Sequence, residues 1–228
     1  MRQAWQLPEL PKVSAILQRF RKTLARKRLA GRDFSIISNN CWGAHVYQAL
    51  NRQFSTPFID LFISPTSYLR LLSEFPQCLS LPLIFKTVSD EAWINRARAA
   101  HCVQWPIGSL GNGIEIQFMH YQSETEASEK WKRRAARLSL QPERQFFKFC
   151  DRDGYTAEQM ALFDGLPFRN KVFFTTRQDC PARCAVKVPL NPDGLALSRI
   201  SPTYFDTVDW LNGGSGGVKW WARWLNCI

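Results

Sequence analysis

Histidine is scarce in this chain: His45, His101 and His120 are the only three in 228 residues. Any acid–base chemistry at neutral pH has few candidates. Long apolar runs are absent too. No stretch approaches the roughly 18 continuous apolar residues of a membrane span, so no spanning helix is expected. The start, Met1-Arg2-Gln3-Ala4-Trp5, has no apolar core of a secretory signal. There is no G-x-G-x-x-G and no P-loop, which removes support for the nucleotide sites those loops build. Cys180 and Cys184 have the wrong spacing, and no partner pair, for a structural zinc site, so no bound metal is expected. The seven cysteines are odd in number and scattered, and without a signal they read as reduced cytosolic thiols. No repeat of fixed period is visible.

What is present is ordinary globular material, 45% hydrophobic and 21% charged, with an uneven charge. Residues 1–33 hold nine basic side chains against Glu9 and Asp33, and so carry +7 of the net +11. The remaining body is mildly basic, and no nucleic-acid partner is expected. Residues 12–30 fit a basic amphipathic helix, with Val13, Ile16, Leu17, Phe20 and Leu24 at helical spacing. That helix suits either packing on the domain or rest on an anionic membrane surface. At the other end, Gly213-Gly214-Ser215-Gly216-Gly217 reads as a flexible linker. Residues 218–225 follow, with Trp220, Trp221 and Trp224 among Lys219 and Arg223. Such a tail suits a membrane interface or a return to the core. The domain reading is a basic segment at 1–33, an α/β domain at 34–212, and linker plus tail at 213–228.

Inside the domain, short apolar strands alternate with helices. Strands are expected at Phe34–Ser38, Phe58–Ile63, Leu81–Phe85, Cys102–Ile107, Ile114–Met119, Gln145–Cys150 and Lys171–Thr175. Helices are expected from Ala44, from Pro65 behind a Ser64 cap, from the Ser123–Glu126 capping box, and from Thr156. The last part, from Ala185 on, is less regular. This alternation predicts an α/β fold with a mostly parallel sheet flanked by helices.

The richest stretch is Phe34 to Gly43. A β-rich run ends in Asn39, Asn40, Cys41, Trp42 and Gly43, just before a helix. Ligands of open α/β sheets bind beyond the carboxyl ends of the strands. A thiol at a helix start gains thiolate character, and the amides there hold oxyanions or phosphates. Asn39 and Asn40 offer further donors to a carbonyl oxygen. Cys41 is therefore read as a nucleophile or as the wall of a pocket. His120, at a strand's carboxyl end, is the preferred base, and His45 lies one helical turn beyond Cys41. The turn Asp151-Arg152-Asp153-Gly154 brings two carboxylates to the same edge, fit to orient a histidine or hold an ion. Lys130 and Arg134, within Lys130-Trp131-Lys132-Arg133-Arg134, offer charge to a phosphorylated donor.

These motifs resemble a known family. Ile37-Ser38-Asn39-Asn40-Cys41-Trp42-Gly43, Trp105-Pro106-Ile107-Gly108, Ile114-Glu115-Ile116 leading to His120-Tyr121, Lys130-Trp131 with Arg133-Arg134, and Asp151-Arg152-Asp153-Gly154 are similar to the bacterial domain of unknown function 1919 family. That family is often labelled exopolysaccharide biosynthesis protein. The resemblance runs from about Lys22 to Pro189, with Trp105 where the family usually has tyrosine. It implies a Rossmann-like fold and a role near surface-polysaccharide assembly. The expected activity is acyl transfer, with acetyl-CoA as donor and a glycan or lipid-linked glycan as acceptor. Cys41, His120, Asp151 and Asp153 would carry the chemistry. Asn39, Asn40, Trp42, His45, Lys130 and Arg134 would bind substrate. The alternatives are a glycosyltransferase using a nucleotide sugar, in which Asp151 and Asp153 matter most, and a non-catalytic assembly scaffold. The expected place is the cytoplasm, at the inner membrane's surface through residues 12–30 and 218–225.

Overall fold

A computed structural model describes residues 20, 23–29, 31–188 and 204–218. Four strands form a wholly parallel sheet: β1 (Ser35–Ser38), β5 (Gln145–Cys150), β6 (Lys171–Thr175) and β7 (Ala185–Lys187), in the order β1-β5-β6-β7. Three more, β2 (Ile84–Lys86), β3 (Ile107–Ser109) and β4 (Glu115–Gln117), form a small antiparallel sheet. The helices are α1 (Trp42–Leu50), α2 (Pro65–Ser73), α3 (Ala92–Ala100), α4 (Glu124–Ala135), α5 (Ala157–Gly165) and α6 (Thr207–Leu211). The fold is α/β, as the alternation of elements predicts.

The parallel sheet is buried on both faces, which is why its strands read as apolar runs rather than alternating ones. On one face Ile37, Phe147, Phe149 and Phe173 pack with α2, α4 and α5 through Tyr68, Leu72, Trp131 and Phe163. On the other, Ile36, Phe146 and Phe174 pack with α1 and α6 through Trp42, Tyr47, Trp210 and Leu211. Gly43 lets α1 sit close on β1, since a Cβ there would meet Ile36 Cγ2 at 3.2 Å. Ser64 caps α2 by accepting from the Ser67 amide, and Thr156 with Gln159 forms a full capping box on α5.

The expected strand at Phe58–Ile63 is not regular. Residues 55–63 run alongside β1, from Ser35 Oγ bonded to Ser55 O at 2.8 Å to Ile63 N bonded to Asn39 O at 2.9 Å. Midway, Asp60 takes a left-handed backbone (φ +57°), which breaks the ladder. Only Phe62 forms a bridge, and it pairs antiparallel with Gln117 of β4. This irregular segment joins the two sheets. The strand expected at Cys102–Ile107 begins only at Ile107, because residues 101–102 turn, with Cys102 at φ +51°.

Both chain ends carried surface expectations. Of residues 12–30, residue 20 and residues 23–29 are described. Ala25 and Leu29 are buried against the domain, and Arg28 pairs with Asp206 at 2.8 Å. The glycines expected to form a flexible linker instead wrap α6. The Gly214 amide bonds to Asp209 O, the Gly216 amide bonds to Asp209 Oδ2, and a Cβ at either glycine would collide with Asp209 or Phe205. Glycine serves here for room rather than flexibility. The tail beyond residue 218, with its three tryptophans, lies outside the described residues. Among the described residues no helix is long and apolar enough to cross a membrane.

Candidate functional site at the carboxyl edge of the parallel sheet

Parallel strands put all their carboxyl ends on one edge, so Asn39–Cys41, Asp151–Arg152 and Thr175–Thr176 assemble there. The edge has two halves. In the half built by β5 and β6, polar groups saturate one another. The Lys148 side chain is 0% exposed, with Nζ 2.9 Å from Asn40 Oδ1, 3.4 Å from Asn39 Oδ1 and 3.2 Å from Cys150 Sγ. Asn40 also donates through Nδ2 to Cys150 Sγ at 3.4 Å and accepts from the Trp42 amide at 3.2 Å. Tyr68 places its hydroxyl between the carbonyls of Ile37 and Lys148. Asp151 accepts through Oδ2 from Thr175 Oγ1 and the Thr176 amide, each at 2.7 Å, and from Thr176 Oγ1 at 3.2 Å. A buried ammonium or carboxylate is tolerable only with such partners.

The half built by β1 and residues 55–63 differs. From 34 to 47 every residue is buried except Cys41 and His45. From 56 to 65 every residue is buried except Asp60 and Phe62. Cys41 and His45 are four apart at the start of α1 and so share its open face. Cys41 is the N-cap of α1 but makes no capping bond, and its Sγ contacts Leu61 O at 3.9 Å. The Asp60 carboxylate makes no hydrogen bond or ion pair among the described residues. The Gly43 and Ala44 amides, in the first turn of α1, donate to no acceptor among them either, as first-turn amides do.

The electrostatics of Cys41 reverse the expectation of a ready thiolate. Burial raises the thiol above its ordinary 9.0, and the Asp60 carboxylate raises it further. Arg152 and Lys148 pull it down by less. Desolvation outweighs the helix N-terminus, so Cys41 rests as a thiol at neutral pH.

The structure separates several residues that the sequence groups together. His120 follows β4, which runs antiparallel to Phe62 and therefore away from the carboxyl edge. It is exposed and makes no hydrogen bond among the described residues, so no bond described joins it to Cys41 or Asp151. Asp151 lies on the edge, but its carboxylate is held by Thr175 and Thr176 rather than by a histidine. Asp153 belongs to the same 3-10 turn, and its side chain lies outside the described part. Trp42 is core, packed edge-on against Phe174 and Trp210. Asn39 and Asn40 are buried partners of Lys148. Lys130 pairs with Glu126 and lies over the Tyr121 ring. Arg134 is buried, donating to the Tyr121 hydroxyl at 2.6 Å and lying over Phe54. Neither cation reaches the edge by any bond described. Among the described residues no three His, Cys, Asp or Glu side chains stand where they could hold a metal ion.

Two residues that sequence reasoning missed are central. Asp60 is the one charge in Phe58-Ile59-Asp60-Leu61-Phe62-Ile63, and Lys148 the one charge in Gln145-Phe146-Phe147-Lys148-Phe149-Cys150. A lone charge in an otherwise apolar run was the available signal.

A family model described as "Domain of unknown function (DUF1919)" matches residues 12–192. The chain belongs to this family. A protein of Haemophilus influenzae (strain ATCC 51907 / DSM 11121 / KW20 / Rd), named only "Uncharacterized protein", is 40% identical over 160 residues, covering 69% of each chain. The matched part of this DUF1919 chain spans both halves of the edge and the antiparallel sheet.

Proposed function

We propose that this protein is an acyltransferase acting on a cell-surface glycan or its lipid-linked precursor, with Cys41 as the acyl carrier. The observation that carries the reading is the pairing of Cys41 and His45 as the half-buried residues of one buried run, with Asp60 beside the thiol. A neutral thiol needs a base, and His45 replaces His120 in that role. The Cys41 Sγ–H proton passes to the His45 imidazole as Sγ bonds to the acyl carbon. The donor's thiolate leaves and takes up that proton. An acceptor hydroxyl then gives its proton to the imidazole and attacks the thioester, and the Cys41 thiol is restored.

The Asp60 carboxylate opposes a lone thiolate, so a base must take the Cys41 proton as the bond forms. The Gly43 and Ala44 amides suit the developing oxyanion. Arg152, exposed in the turn after β5, gives the donor side positive charge, which suits the phosphates of acetyl-CoA. The glycan setting follows from the motif resemblance. The cytoplasmic surface of the inner membrane is its natural place, with the basic residues 12–30 as the anchor. Flotation with anionic liposomes at low salt tests that placement, and failure to float removes it.

The glycosyltransferase alternative assigns its chemistry to Asp151 and Asp153, and three hydrogen bonds already hold Asp151. Intact-mass spectrometry after incubation with acetyl-CoA tests the proposal. An acetyl adduct on Cys41, absent in Cys41→Ala and slowed in His45→Ala, is the expected result. A wild-type chain that never acquires the adduct, yet is stabilised thermally by a nucleotide sugar, would replace acyl transfer with glycosyl transfer.

A further inference from the structure

Next to the open half of the edge, the antiparallel sheet presents an aromatic shelf with an orphan donor at its foot. Phe62 and Gln117 form a hydrogen-bonded antiparallel pair, each amide 2.8 Å from the other's carbonyl. Residues paired in this way stand side by side on one face. Trp93 meets the Phe62 ring edge-on at 5.8 Å and is 43% exposed. Its indole is fixed at the polar end, because Nε1 donates to Glu91 Oε2 at 2.8 Å. The other oxygen of Glu91 accepts from Ser64 Oγ at the cap of α2. Trp105 closes the far side, with Nε1 donating to Gln117 Oε1 at 3.0 Å and the Arg98 guanidinium over its ring.

That arrangement uses the Gln117 oxygen and leaves its nitrogen. Gln117 is 1% exposed, and Nε2 has no acceptor among the described residues. Buried amides are paired in the great majority of cases, so an orphan calls for an explanation. We propose that this shelf binds a pyranose ring: the exposed Trp93 indole receives its C–H face, the edge-on Phe62 ring walls one side, and Gln117 Nε2 donates to a ring hydroxyl.

Charge selects a neutral sugar over a nucleotide. The carboxylates of Asp60 and Glu91 flank the shelf, whereas the cations of the edge, Lys148 and Arg152, act on Cys41 from β5 and the turn after it. Glu115, the next residue of β4 on that face, pairs with Lys86 at 2.5 Å and accepts from the Ser89 hydroxyl. An anionic donor therefore belongs on the β5 side and an uncharged acceptor ring on the β4 side. Naming the sugar as the acceptor rests on the transfer proposed at Cys41; its binding does not.

Saturation-transfer NMR on the full chain tests this with methyl β-glucopyranoside, lactose and chitobiose as probes. At least one should bind, and Trp93→Ala, at a surface position, should weaken it by about ten-fold or more. Trp93→Phe should recover part of the loss, and Gln117→Met, which keeps volume but removes the donor, should weaken binding several-fold. Absence of binding by all three probes, or equal binding by wild type and Trp93→Ala, overturns the shelf. Sugar binding without an acetyl adduct on Cys41 keeps the shelf and removes the transfer reading. An adduct without sugar binding does the reverse.

Discussion

The two halves of the carboxyl edge hold similar residue types in opposite conditions. Around β5 and β6, Lys148, Cys150, Asn40 and Asp151 are packed into a network in which each polar group faces a partner. Around β1 and residues 55–63, Cys41, His45 and Asp60 stay half-buried, and the Asp60 carboxylate makes no hydrogen bond or ion pair among the described residues. Carboxylates and thiols occur in both halves. What differs is commitment: one half spends its polar groups on the fold, and the other leaves the Asp60 carboxylate without a hydrogen bond among the described residues. A strand end is thus a necessary address for a site in an open α/β sheet, and an uncommitted group is the sharper mark.

That contrast breaks most readily at Asp151. Asp151→Ala strips three hydrogen bonds and leaves the buried Thr175 hydroxyl without its acceptor, at a cost of about 2–3 kcal/mol in urea unfolding. A loss near zero would mean that the two halves do not differ. Cys41→Ala should instead cost under about 1 kcal/mol while removing the acetyl adduct, since the thiol has one weak contact to lose. Smaller effects sharpen the picture within the open half. Asp60→Asn keeps a residue that tolerates the left-handed backbone but deletes a charge that adds to burial in raising the Cys41 thiol. The Cys41 pKa should fall, and alkylation at pH 8 should speed up several-fold by site-resolved mass spectrometry. Arg152→Ala removes a cation that favours the thiolate, so the same rate should drop, by a smaller factor.

Two thiols away from Cys41 carry a pH signature of their own. Burial pushes Cys78 and Cys184 up to about 12, above the 9.0 of an exposed thiol. Both states hold the proton below pH 9, so this contribution to stability is whole there. As pH rises from 9 towards 12 the unfolded chain loses those protons first, and stability falls. Thermal melts should show that decline, shallower in Cys78→Ala.

Much of the fold was legible in the sequence because local signals agreed with it. β5 and β6 begin and end where the apolar runs do, and Ser64-Pro65 and Thr156 cap helices as their chemistry demands. Residues 58–63 were less legible. Their composition is that of a strand, but a left-handed Asp60 and a single bridge to Gln117 make them a joint between sheets, which local pattern does not encode. The same long-range pairing set the direction of β4, so that His120 does not end a strand of the parallel sheet. Direction within a sheet depends on the partner strand, and no residue of Ile114–Met119 announces it. Lys148 was hidden because burying an ammonium depends on Asn39, Asn40 and Cys150, which the fold brings together from two separate strand ends.

Site-resolved alkylation across pH measures the contrast most directly, because three thiols report from one chain. Cys102 is exposed, Cys41 half-buried and Cys150 buried against Lys148. In the folded protein at pH 7.5 the expected order is Cys102 fastest, Cys41 slower, and Cys150 protected, with the Cys41 rate still climbing above pH 9. A Cys41 that outpaces Cys102 down to pH 6 would be a preformed thiolate. That result, or a Cys150 as reactive as Cys41, would contradict an edge with one open half and one closed half.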